Sequence, residues 1–192
     1  MLKNGVKNKG LPLLNNLYLI GLMGAGKSTL GPLLARRWGC GFRDTDAMVE
    51  AHAKMTIDTL FKTHGEIYFR NLESEILKEI CQESSLVVSL GGGSPLREQN
   101  WQKLVETGRI IYLRAKPETL SQRLVNASEI RPLLCGLRGD EVLAQLNILL
   151  AERRKIYENA HLIIDTDDRT VHQVAEVVLA RLEETDYEKN KN

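Results

Sequence analysis

The stretch Gly21-Leu22-Met23-Gly24-Ala25-Gly26-Lys27-Ser28 constrains this chain more than any other. It matches G-x-x-x-x-G-K-[ST] at every position, the pattern of a loop that wraps phosphate with its backbone N–H groups. A chance glycine turn needs no particular flanks, whereas a phosphate loop joins a strand to a helix. Both flanks comply here. Residues 17–20 (LYLI) are a short apolar run, and helical spacing of apolar residues follows as far as Trp38. The helix N-terminus adds partial positive charge at the loop. Lys27 is placed as a mobile cation for the β- and γ-phosphates, and the Ser28 hydroxyl is a hard oxygen suited to Mg2+. Pro32 removes a backbone donor early in the helix, where the loss matters less than mid-helix. The motif specifies a nucleoside triphosphate and phosphoryl transfer or hydrolysis. It leaves the phosphate acceptor open.

The remaining pattern alternates. Apolar runs recur at 86–90 (LVVSL), 109–114 (RIIYLR) and 161–165 (HLIID), with a weaker strand candidate at 40–43. Helical patterns cover about 70–82, 97–106, 117–127, 140–158 and 170–182. Apolar runs without alternation suit strands buried on both faces. Strands alternating with helices imply βαβ units in a parallel α/β sheet, with ligands at the C-terminal strand ends. The polar start, residues 1–15, reads as a loose arm. Residues 16–183 read as a single domain and 184–192 as a solvated tail.

Composition excludes several classes. The chain has 192 residues, enough for one domain with its own core. Its net charge of +1 provides no global field for nucleic acid or an anionic membrane. No apolar run approaches the ~20 residues of a membrane span, and no signal-peptide core follows the basic start. Cys40, Cys81 and Cys135 have no metal-like spacing and suit a reducing cytoplasm. A monomer is the default, since no added interface segment is visible.

Several segments bear on the acceptor. Asp44-Thr45-Asp46 follows the second strand candidate, and alternate strand residues share a side. One carboxylate can then serve a metal's water shell, and the other can accept a proton from a substrate hydroxyl. They also suit helix N-caps or a solvated turn. Arg70 and Glu73, three apart, share a helix face, as a surface ion pair would. Gly91-Gly92-Gly93 directly after LVVSL lets a ligand touch backbone, although a plain turn also uses glycine. No carboxylate follows that strand; Ser89 is the nearest polar side chain. Arg131, in Ile130-Arg131-Pro132-Leu133-Leu134, sits where a lid could bring a cation to the phosphates, or is an exposed loop residue. Glu152-Arg153-Arg154-Lys155 offers a guanidinium for an anionic substrate, or cations near a helix C-terminus.

In this order, GLMGAGKST, DTD, FRNLE, SLGGG, RPLL and ERRKIY resemble the shikimate kinase family, small relatives of the nucleoside monophosphate kinases. The match runs from about residue 17 to 182. It implies a three-layer α/β/α P-loop kinase with a five-stranded parallel sheet and a lid over about 124–140. The implied reaction takes the γ-phosphoryl group of ATP to the 3-hydroxyl of shikimate, in chorismate and aromatic amino-acid synthesis. By resemblance, Gly24, Ala25, Gly26, Lys27, Ser28 and Thr29 cradle ATP, with Ser28 on Mg2+ and Asp44 reaching the metal through water. Asp46 holds ring hydroxyls and acts as base. Arg70 and Arg153 clamp the carboxylate, Glu73 steadies Arg70, and Gly91, Gly92 and Gly93 offer backbone groups. Phe61 and Phe69 wall the ring. Arg131 approaches the phosphates, and Arg123 and Arg169 flank the adenine.

The chain departs from the family pattern in places. Arg43 stands where an apolar residue is usual, and Pro32 where a basic one often is. Arg154-Lys155-Ile156 replaces a proline-containing run, which leaves the second carboxylate contact between Arg153 and Arg154. The competing readings are another small-molecule kinase of similar build, such as a gluconate kinase, and a non-catalytic nucleotide-binding regulatory protein.

Overall fold

The computed structural model describes residues 15–125, 132–134 and 136–189. The elements are β1 (Asn16–Ile20), α1 (Lys27–Trp38), β2 (Gly41–Asp44), α2 (Thr45–Ala53), α3 (Ile57–Ile80), β3 (Leu86–Ser89), α4 (Glu98–Thr107), β4 (Gly108–Arg114), α5 (Pro117–Val125), α6 (Asp140–Tyr157), β5 (Leu162–Asp165) and α7 (Val171–Lys189). The strands form one parallel sheet in the order β2-β3-β1-β4-β5. Parallel neighbours need crossovers, and the intervening helices supply them, giving three α/β/α layers. α1 packs on β2, β3 and α7, while α4 packs on β4 and α3.

Burial follows sheet position. Every residue of β1 and β3 is buried, which is why both read as unbroken apolar runs. β2 is an edge strand and only half-buried. Arg43 is therefore tolerated there, and its guanidinium pairs with Glu83 at 3.0 Å. The core is almost wholly aliphatic, with Tyr18, Tyr112, Tyr157 and Phe69 as its buried aromatics.

The structure corrects several element boundaries. β2 ends at Asp44, one residue later than expected, and α2 begins at once. α3 starts at Ile57, well before Arg70, and breaks at Gly65 (φ 79°, ψ 172°). Thr56 caps α3 by accepting the Thr59 N–H at 3.2 Å, and Glu50 accepts the Ile57 N–H at 2.9 Å. The break at Gly65 interrupts the apolar periodicity, so only the second half of α3 was legible. α7 continues to Lys189, so residues 184–189 of the segment read as a solvated tail are helical. Pro32 is the sixth residue of α1, just past the first turn, and forfeits the bond to the Ser28 carbonyl. Of the arm expected over 1–15, only Asn15 lies within the described residues.

The N-terminal edge of the sheet is tied by Asn16. Its amide donates to the Tyr18 hydroxyl at 3.0 Å and the Glu83 carbonyl at 2.9 Å, and its Oδ1 accepts the Leu86 N–H at 3.1 Å. Gly108 faces Asn16 in the β1–β4 register. A Cβ on Gly108 would overlap the Asn16 carbonyl oxygen and lie 2.7 Å from the Tyr18 ring. Backbone in a buried strand cannot move aside cheaply. Gly108→Ala should therefore destabilise the fold by roughly 2–3 kcal/mol. Urea unfolding should show this as a lower midpoint at constant slope.

Candidate active site

β1 and β3 are hydrogen-bonded neighbours, so the loops leaving their C-terminal ends lie side by side. A Cβ on Gly92 would sit 3.5 Å from the Gly21 carbonyl oxygen, so the triglycine loop abuts the phosphate loop. Together they floor a cleft of about 1140 Å³.

On the phosphate side, Gly26 caps α1 with φ 96°, a left-handed conformation that favours glycine. Gly24, Ala25, Gly26, Lys27, Ser28 and Thr29 all line the cleft. Lys27 Nζ lies over the loop, donating to the Gly21 carbonyl at 2.8 Å and the Leu22 carbonyl at 3.1 Å. Ser28 Oγ donates to Asp44 Oδ2 at 2.7 Å and lies 3.4 Å from Ser89 Oγ. These hard oxygens beside a phosphate loop fit Mg2+, which takes few protein ligands and completes its shell with phosphate oxygens and water. Among the described residues, no group of three or more His, Cys, Asp or Glu side chains could hold a metal alone.

The relation of Asp44 to Asp46 differs from the expected alternation along a strand. Asp44 is the N-cap of α2, accepting the N–H groups of Asp46 at 3.0 Å and Ala47 at 3.4 Å. Asp46 lies in the first turn of α2. The helix, not the strand pleat, turns its carboxylate to the triglycine loop. A Cβ on Gly91 would fall 2.6 Å from both Asp46 Oδ1 and Glu73 Oε1.

Both arginines of the expected clamp reach the same loop. A Cβ on Gly93 would overlap the Arg70 guanidinium, and one on Gly92 would lie 2.7 Å from Arg153 Nη1. A side chain at either position would displace the guanidinium from the loop. Arg153 is 4% exposed and its Nε has no partner, whereas the Arg154 side chain is 68% exposed and pairs with Glu158 at 2.7 Å. The register between them thus falls on Arg153. Arg70 donates to Glu73 Oε2 at 2.9 Å, and its guanidinium carbon lies 5.0 Å from the Phe69 ring centre. Phe61 packs against Phe69 with centroids 4.7 Å apart, and both rings line the cleft.

At the far end, Arg123 donates to the Gly24 carbonyl at 3.3 Å and to the Thr166 hydroxyl and carbonyl at 3.1 and 2.6 Å. It ties the phosphate loop to the turn after β5. Arg169 lines the same end and donates to the Asp165 carbonyl at 2.8 Å. Arg114 grips the Asp165 carboxylate at two points, 2.5 and 2.8 Å, and holds its pKa below the ordinary value. Arg131 lies outside the described residues, as do 126–130 and Cys135 within the lid segment.

Thr45, Tyr157 and Thr166 are site residues that motif reading passed over. Thr45 Oγ1 accepts the Gly91 N–H at 2.8 Å, and the Tyr157 hydroxyl donates to the Gly92 carbonyl at 2.5 Å. Thr45 stands between two acids already singled out, and Tyr157 ends the ERRKIY segment. Each was visible as a position, but neither side chain signals what it holds.

The chain is similar to known proteins of one family. The shikimate kinase family model matches residues 23–183. A shikimate kinase from Synechococcus sp. (strain CC9605) is 42% identical over 167 residues, covering 87% of this chain and 82% of that protein. The solved structure of shikimate kinase from Acinetobacter baumannii in complex with shikimate superposes with a TM-score of 0.85 at 32% identity, covering 93% of this chain and 98% of that one. A gluconokinase from Sinorhizobium meliloti matches with a TM-score of 0.58 at 17% identity, covering 93% and 99%, a likeness of fold alone.

Glu73 is 1% exposed, and burial pushes its pKa up to about 6, against the opposing pull of Arg70 and helped by Asp46. A carboxyl raised in the folded state binds its proton more tightly there than when unfolded. Stability therefore increases as pH falls from about 6 towards 4.5. Relative to Glu73→Gln, the unsubstituted protein should gain about 2 kcal/mol over that window. Denaturant midpoints of the two proteins that ran parallel with pH would contradict this.

Proposed function

The chain belongs to the shikimate kinase family, and on that premise we propose how its cleft carries the γ-phosphoryl group of ATP to the 3-hydroxyl of shikimate. The products are ADP and shikimate 3-phosphate, a step of chorismate and aromatic amino-acid biosynthesis. One observation carries the assignment of residues. Arg70, Arg153, Asp46 and Glu73, from three different helices, all crowd the glycine loop on the strand beside the phosphate loop. A small polyhydroxy acid needs this set: cations for its carboxylate, and acceptors and backbone groups for its hydroxyls.

Arg70 and Arg153 bind the substrate carboxylate, a planar anion matched by planar guanidinium groups. Glu73 holds Arg70 in place, and its unpartnered Oε1 faces the same point as Asp46. Phe61 and Phe69 cover the apolar face of the ring. Gly91, Gly92 and Gly93 supply the backbone floor. Asp46 accepts the proton of the 3-hydroxyl as its oxygen attacks the γ-phosphorus and the bond to the β–γ bridging oxygen breaks. Lys27 and the phosphate-loop N–H groups not bonded within the loop offset charge on the phosphates. Mg2+, when bound, would be held by Ser28 and, through water, by Asp44, and would neutralise further phosphate charge. Arg123 and Arg169 flank the adenine. Arg131 adds a cation from a lid spanning about 124–140, a role that rests on sequence alone. Lid closure would keep water from the phosphoryl group.

We assign residues 16–183 to a single kinase domain acting as a cytoplasmic monomer. Among the described residues no helix is long and apolar enough to cross a membrane, and Cys40 and Cys81 are free thiols.

The decisive experiment measures ADP release from MgATP with shikimate, gluconate or nucleoside monophosphates. Only shikimate should stimulate it, and a response to gluconate alone would sink the acceptor assignment. Lys27→Ala and Asp46→Asn should each lower kcat by about 100-fold or more. Arg70→Ala should raise the KM for shikimate roughly tenfold or more and leave that for ATP in place. An unchanged shikimate KM would remove Arg70 from the carboxylate clamp.

A further inference from the structure

The triglycine loop is held by an almost complete set of internal bonds. The Gly91 carbonyl accepts from the Ser94 N–H at 3.0 Å, and the Gly93 carbonyl from the Leu96 N–H at 3.1 Å. The Gly91 N–H donates to Thr45 Oγ1 at 2.8 Å, and the Gly92 carbonyl accepts from the Tyr157 hydroxyl at 2.5 Å. Among the described residues, this leaves the N–H groups of Gly92 and Gly93 as the loop's uncommitted polar groups. The first pair of bonds are turns of the loop on itself. The second pair come from outside it, from α2 and α6, and those are the bonds that orient it.

Both outside partners are themselves fully buried. Thr45 is fully buried in the first turn of α2, directly between Asp44 and Asp46. Tyr157 is fully buried at the end of α6, and its ring packs against Tyr112 of β4 with centroids 5.0 Å apart. Burial pushes the Tyr157 pKa up to about 12 against the pull of the Arg153 charge, so it stays a donor to Gly92 at any working pH.

We infer that Thr45 and Tyr157 are positioning residues that lock the triglycine loop at Gly91 and Gly92, presenting the Gly92 and Gly93 N–H groups to the acceptor as a fixed pair. Arg153 and Tyr157 share the last turns of α6, and a Cβ on Gly92 would lie 2.7 Å from Arg153 Nη1 and 3.4 Å from the Tyr157 oxygen, so both side chains sit against Gly92. This deepens the acceptor assignment and rests on it. Both bonds run to the triglycine loop, so the effect belongs to acceptor binding.

The test uses the full chain with Tyr157→Phe, which keeps the ring, and with Thr45→Val and Thr45→Ser, which remove and retain the hydroxyl. Tyr157→Phe and Thr45→Val should each raise the KM for shikimate roughly tenfold, the effect of a buried backbone group left unpaired, while the KM for ATP stays within about twofold. Thr45→Ser should restore the shikimate KM. Shikimate KM values that do not move, or that rise together with those for ATP, overturn the inference. If Tyr157→Phe fails to fold, the Thr45 pair decides. If the unsubstituted protein ignores shikimate, the functional assignment fails by itself. Amide exchange at Gly92 and Gly93 then decides the lock: faster in the hydroxyl-deleted variants supports it, and unchanged rates refute it.

Discussion

The parallel pairing of β1 with β3 is the constraint from which the rest of the site follows. Leu17, Tyr18 and Leu19 register with Val87, Val88 and Ser89, so the two strands end level with each other. Each then runs into glycine, and the phosphate loop and triglycine loop leave the sheet in contact. A parallel sheet sends both chains out at the same edge. The phosphate loop and the triglycine loop are thus brought together by backbone hydrogen bonds between two fully buried strands. Every side chain of both strands is buried, which makes that register the hardest feature to shift.

Around this edge the fold accepts groups that a core would otherwise reject. Glu73 keeps one oxygen unpartnered and Arg153 keeps Nε unpartnered, both in side chains with almost no exposure. Buried polar groups in a settled core are nearly always satisfied. Unsatisfied ones gathered at one cleft, beside glycines with no side chain to shield them, mark where a ligand completes the network. Burial raises the Glu73 pKa while the Arg70 guanidinium opposes the rise, and the compromise near 6 reflects how unevenly that carboxylate is served. The phosphate end is organised differently. There the loop backbone, Lys27 and the Arg123 tether to Gly24 create positive character without a buried charge pair.

The phosphate loop, the five strands and most helices could be read directly from the chain. Their signals are local: a fixed motif, unbroken apolar runs and helical spacing. α2 and the first half of α3 escaped, because Gly65 breaks the periodicity and the caps at Asp44 and Thr56 act through single side-chain oxygens. Asp44 and Asp46 read as two residues on one strand face, whereas a helix turn presents Asp46. Thr45 and Tyr157 are unremarkable in sequence. Their roles exist only because α2 and α6 meet the same three glycines.

By itself the sequence determined the chemistry available: a phosphate loop, a magnesium-competent hydroxyl, carboxylates, arginines and a glycine run, each carried by a residue type that few alternatives can replace. Tertiary structure decided which of these act together. It chose Arg153 over Arg154, because two adjacent helical residues point about 100° apart and only one can face the cleft. It set Asp46 and Glu73 on one point and closed the triglycine loop between two hydroxyls. Those are distances between residues up to 65 positions apart in the chain. Chain order carries no such distances, and packing sets them.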